Sequence, residues 1–102
     1  MKLLFITSLK EYQKQVSHII EQAGIPVFSL SETIGFRDHH SPDLLDQWFS
    51  SKSEQFDSIF IFSFTEPEKA EKALTLIKAY NSETNTRFPI RAFIMPVEQS
   101  SY

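Results

Sequence analysis

Ser58-Ile59-Phe60-Ile61-Phe62-Ser63-Phe64-Thr65-Glu66-Pro67-Glu68 decides the fold. Ile59 and Ile61 fall on one side of an extended chain and Phe60, Phe62 and Phe64 on the other, so Ser58 to Phe64 predicts a strand that is apolar on both faces. Thr65 and Glu68 stand at capping-box spacing, where a hydroxyl and a carboxylate satisfy backbone N–H groups at a helix start. Ala70, Ala73, Leu74, Ile77 and Tyr80 then give that helix its apolar stripe, and Glu68 and Lys72 form an i,i+4 pair on its solvated side. Asn81 to Phe88 is turn and loop, and Ile90 to Val97 predicts another strand.

The same strand-then-helix order opens the chain. Leu3-Leu4-Phe5-Ile6 is a short apolar strand, and Ser8 and Glu11 form a capping box after it. Leu9, Tyr12, Val16, Ile19, Ile20 and Ala23 follow at helical spacing, with Gly24 where a left-handed cap is needed and Pro26 excluding more helix. Phe28, Leu30, Ile34 and Phe36 alternate with Val27, Ser29, Ser31 and Thr33 in a long strand, which Gly35 should interrupt with a bulge or bend. The order is β-α-β-β-α-β. That is an α+β, ferredoxin-like fold: a four-stranded antiparallel sheet with two helices on one face.

The 102 residues make one domain, with no internal repeat or composition break across 1–102. Hydrophobic residues at 41% and charged residues at 23% are ordinary for a globular chain, which excludes disorder. The absence of cysteine removes disulfides, thiol nucleophiles and Cys-ligated metal centres. A net charge of −3 argues against nucleic acid and anionic lipid as partners. Met1 to Ile6 is too short an apolar run for a signal peptide, no stretch predicts membrane insertion, and the expected location is the cytoplasm.

Two helices cover only one face of such a sheet, so the other face should be polar. Instead Leu3 and Phe5 oppose Leu4 and Ile6, the Phe60, Phe62 and Phe64 row opposes Ile59 and Ile61, and Phe93, Met95 and Val97 oppose Ile90, Ala92 and Ile94. Three strands apolar on both faces would leave a large exposed patch on a monomer. A homo-oligomer with its sheets packed together and its helices outside is the expectation.

Ser31-Glu32-Thr33-Ile34-Gly35-Phe36 resembles the Ser-Glu-x-x-Gly-Phe segment that ends the second strand of the nitrogen regulatory PII family. Ala92-Phe93-Ile94-Met95-Pro96-Val97-Glu98 is similar to that family's last core strand, Ile-Phe-Val-x-Pro-Val-Glu, and Ala23-Gly24-Ile25 fits the end of its first helix. The resemblance to PII-like proteins implies a homotrimeric signalling protein. It also implies that the Arg37–Gln55 connection corresponds to the T-loop through which the family meets partners. Ligands in that family sit in the clefts between subunits, which here would draw on Gly35, Arg37, Arg87 and Arg91. Arg91 stands where the family has a basic phosphate-contacting residue.

The departures bear on the ligand. The family's Gly-rich loop before the last strand is replaced by Asn85-Thr86-Arg87-Phe88-Pro89-Ile90, without glycine, and backbone amides cannot closely approach a phosphate past Phe and Pro. The family's C-terminal basic residues are missing. His39 replaces its 2-oxoglutarate and Mg-ATP contact residue, and no tyrosine in the loop could accept its modification. ATP and ADP are therefore not the expected cofactors.

His39 and His40, with Asp38 and Asp43, form the densest set of metal-capable side chains, and imidazole suits a divalent transition metal such as zinc, copper or nickel. Some PII-like relatives that lack the nucleotide loop are linked to metal handling or metal-efflux systems. On that resemblance the protein partner would be a membrane transporter or efflux component. Against this, adjacent histidines in an extended loop point opposite ways and more often bind nothing. Leu44, Leu45, Trp48 and Phe49 either form a partner-binding knuckle or fold back on their own subunit.

No nucleophile elbow, phosphate-binding glycine loop or zinc-protease motif occurs, and Thr7-Ser8-Leu9-Lys10 lacks the Arg and Gly of the acylphosphatase loop. The chain is expected to be non-catalytic. A sensor that signals through the 37–55 loop is the first reading, a CutA-like divalent-metal-binding trimer the alternative, and a constitutive adaptor the third.

Overall fold

The computed structural model describes residues 1–38 and 53–101, with the backbone alone described at 37, 38, 53 and 54. The elements run β1 (Lys2–Leu9), a 3₁₀ turn (Lys10–Tyr12), α1 (Gln13–Gln22), β2 (Ser29–Asp38), β3 (Ser53–Thr65), α2 (Pro67–Thr84) and β4 (Arg91–Pro96). The strands form one antiparallel sheet in the order β2-β3-β1-β4, as the ferredoxin-like reading requires.

Register sorts the side chains. Ile6 pairs with Ile61 on one side and Ala92 on the other, so Leu4, Ile6, Ile59, Ile61, Ala92 and Ile94 share the face beneath the helices. Val16, Ile19, Ile20 and Ala23 of α1, and Ala70, Ala73 and Ile77 of α2, close that core with Ile25 and Ile90. Leu4, Ile6, Ile59 and Ile61 are each 1% exposed. Leu76, rather than the expected Leu74, packs at the edge of this core. The buried Ser63 hydroxyl donates to the Val27 carbonyl at 2.6 Å, satisfying a polar group that the strand would otherwise bury bare.

Both helix starts depart from expectation. Ser8 belongs to β1, where it is buried opposite Ile59 and donates its hydroxyl to the Leu9 carbonyl at 3.0 Å. Leu9 therefore ends a strand instead of opening a helix, and neither the 3₁₀ turn nor α1 has a side-chain cap. Thr65 closes β3 opposite Lys2, Glu66 is the N-terminal boundary of α2, and Pro67 supplies the preset first helical residue. In each case strand pairing extends over the residue that a local cap would have used.

The end of α1 follows the sequence. Gly24 has φ +79, its N–H donates to the Glu21 carbonyl at 3.0 Å, and Ile25 N–H donates to the Ile20 carbonyl at 3.2 Å. These two bonds make a Schellman motif. Gly35 does not bulge: β2 stays in register through Gly35↔Phe56, and a Cβ at residue 35 would collide with the Phe56 ring. The β2–β3 ladder continues through Arg37↔Glu54 to Asp38↔Ser53, so the pairing enters both ends of the segment expected as loop from Arg37 to Gln55.

Candidate functional site

The open face of the sheet is aromatic. Phe5 stacks on Phe60 with ring centroids 5.5 Å apart, and Phe60, Phe62 and Phe64 continue as a ladder at 6.3 Å steps. Phe93 and Met95 extend it across β4, and Phe64, Phe93 and Met95 are 55%, 51% and 38% exposed. Polarity returns along β2, whose residues on this face include Ser29, Ser31 and Thr33, and at the end of the sheet that carries Thr7, Ser58 and Arg91. The row of rings thus spans β3, β1 and β4, the three strands expected to be apolar on both faces.

A cleft of about 290 Å³ opens where β1 ends and β4 begins. Thr7, Leu9, Phe56, Phe88, Arg87 and Arg91 line it. Arg91 is brought there by its pairing with Thr7 at the start of β4. Arg87 is brought there by the connection from α2, whose shape is held by side chains. Asn85 leaves the helix in the left-handed region at φ 45, and its N–H donates to the Asn81 carbonyl at 3.1 Å. Asn81 itself clamps Ile90 twice: its Nδ2 donates to the Ile90 carbonyl at 2.7 Å, and Ile90 N–H donates to its Oδ1 at 2.9 Å. Thr86 Oγ1 accepts from Phe88 N–H at 3.1 Å and lies 2.8 Å from the Tyr12 hydroxyl.

Arg87 and Arg91 are exposed and have no ion-pair partner among the described residues. The Phe56 and Phe88 rings, 5.8 Å apart and tilted by 51°, form one wall. Beyond that wall a second depression is lined by Lys10, Glu11 and Asp57 together with Leu9, Phe56 and Phe88. Lys10 pairs with Glu32 at 3.1 Å, an exposed bridge of little energetic weight.

Of the residues singled out from sequence, the structure gathers Arg87 and Arg91 in one cleft and places Gly35 behind it, beneath Phe56. The Arg37 and Asp38 backbones belong to β2. His39, His40, Asp43, Leu44, Leu45, Trp48 and Phe49 lie outside the described residues. Among the described residues no three His, Asp or Glu side chains gather as a metal set, and no helix is long and apolar enough to cross a membrane. Sequence reasoning missed Phe56, Phe88 and Asn81. Only Asn81 carries a local signal, an amide near a helix end where it can reach the departing chain.

No protein-family model and no curated protein matches the sequence. Among solved structures, a candidate PII-like signalling protein from Thermus thermophilus superimposes with a TM-score of 0.65. It is 12% identical, and the match covers 94% of this chain and 85% of that one. At that identity the likeness is one of fold.

Proposed function

We propose that the chain is a non-catalytic PII-like regulatory protein that works as a homotrimer. It takes a small anion in the Arg87/Arg91 cleft and passes its state to a protein partner through the 37–55 segment. The observation that carries this reading is the aromatic face of β3, β1 and β4, because a face of that kind on a ferredoxin-like sheet needs other copies to cover it. The fold shared with a PII-like signalling protein supports it. The cleft supports the ligand half: Arg91 lies on the open face, at the margin of the surface that a neighbouring copy would cover. Ligand binding there would act where subunits meet and where the β2–β3 arm departs, a route by which occupancy could order the segment that contacts a partner.

Light scattering tests the assembly. A mass of three chains is expected, and a monomer at micromolar concentration would overturn the reading. A thermal-shift panel with zinc, copper and nickel separates the alternative. Stabilisation of the wild type by one metal, lost in His39→Ala/His40→Ala, would replace the anion sensor with a CutA-like metal-binding trimer.

A further inference from the structure

Three backbone donors of the loop that shapes the Arg87/Arg91 cleft are already engaged. Asn85 N–H goes to the Asn81 carbonyl, Phe88 N–H to Thr86 Oγ1 and Ile90 N–H to Asn81 Oδ1. Pro89 has none. A phosphate cradle needs successive backbone N–H groups turned toward one point. From Phe88 to Ile90 no two successive donors are open to one, and freeing the Ile90 N–H would break the Asn81 clamp on that buried residue. The charged groups that line this cleft are side chains, the exposed guanidiniums of Arg87 and Arg91.

The remaining walls are apolar and flat. Phe56 and Phe88 present ring surface, Leu9 and Pro89 aliphatic surface, and Gly35 leaves room for the Phe56 ring to lie across β2. At about 290 Å³ the cleft falls at the bottom of the usual range for ligand pockets, which begins near ~300 Å³. Its neighbour across the Phe56–Phe88 wall carries Glu11 and Asp57 against a single cation, Lys10, which is itself paired with Glu32, so a polyphosphate chain extending past the rings would meet more negative than positive charge. Wall chemistry and the charge beyond the wall favour a short ligand with one anionic group.

We propose that the cleft binds a carboxylate carried on a single flat ring, held by the guanidinium forks of Arg87 and Arg91 against Phe56 and Phe88, and that it does not bind nucleoside polyphosphates. This deepens the regulatory reading and rests on it, since it names the class of ligand that the same cleft would sense. Arginine suits the task because its planar fork meets both oxygens of a carboxylate at once and stacks on aromatic rings.

Isothermal titration of the full chain with benzoate, AMP, ATP and inorganic phosphate at matched ionic strength tests this. The variants Arg87→Gln and Arg91→Gln are run alongside, and light scattering is recorded on each sample. Benzoate should bind the wild type, each substitution should weaken it about tenfold or more, and ATP should bind no better than inorganic phosphate. Both arginines are exposed, so the variants should melt at the wild-type temperature without ligand, which separates lost binding from lost fold. ATP binding more tightly than benzoate, and depending on Arg87 or Arg91, would overturn the ligand class while leaving a sensing cleft. AMP binding tightly where benzoate does not would also overturn it, in favour of a mononucleotide. Benzoate binding that survives both substitutions would overturn the arginine assignment. Failure of every probe on a confirmed trimer would remove the cleft as the sensing site, and a monomer would remove the assembly instead.

Discussion

The two faces of this sheet are built from alternate residues of the same strands, yet they follow different packing rules. Beneath the helices the residues are aliphatic: Leu4, Ile6, Ile59 and Ile61, nearly without solvent contact, fill the space against three small or branched side chains of α2. The middle of the open face is a ladder of rings, Phe5, Phe60, Phe62 and Phe64. Aliphatic side chains interdigitate at interior density, whereas aromatic rings enrich surfaces that bury large area on meeting a partner. One face is finished within the monomer, and the other is the face that the proposed assembly would finish.

The largest test breaks the finished face. Ile61→Ala should cost about 3 kcal/mol, because the cavity sits among residues held from both layers. Urea unfolding measures it, and the loss should appear whatever the assembly state. Phe93→Glu acts on the other face. This half-exposed ring should be replaceable without unfolding the subunit, while the mass in light scattering falls from three chains toward one. A Phe93→Glu protein that remains trimeric would mean that the rings do not form the subunit contact. Gly35→Ala should cost about 2 kcal/mol, since the new methyl group must displace the Phe56 ring. It should also disturb the cleft wall, which tryptophan-independent probes such as Phe56 and Phe88 ring NMR shifts would report. The smallest effect is expected from Ser63→Ala, about 1 kcal/mol, because only the bond to the Val27 carbonyl is lost and Val27 itself is 76% exposed.

The element order and the sidedness of three strands were legible because the apolar residues alternate wherever a strand lies against the helices. The legibility ended where that constraint ended. Ser53 to Asp57 carries no alternating apolar pattern, since β3 there runs beyond the helix layer beside the exposed Ile34 and Phe36, and no core imposes a pattern on it. Ser8 and Thr65 were misleading for the opposite reason. Each fits a helix cap locally, but Ser8 continues the register of Leu4 and Ile6, and Thr65 pairs with Lys2. Long-range strand pairing outweighed a local hydrogen bond. In the cleft, Arg87 and Arg91 could be picked out by resemblance to known proteins. The Phe56–Phe88 wall and the Asn81 clamp could not, because each joins positions that only the folded chain brings together.

The strand order places β1 between β3 and β4, with Lys2 opposite both Thr65 and Pro96. The central strand is thus synthesised before either of its neighbours, and Leu3-Leu4-Phe5-Ile6 must wait for almost the whole chain to emerge before it can pair on both edges. Contacts of such long sequence separation make folding slow for a chain of this length. During that interval the stretch is apolar on both sides and incompletely paired, a target for chaperones and a seed for aggregation. A nascent chain stalled before Arg91 would carry β1 with one edge bare, and its recovery in soluble form should depend on chaperone supply.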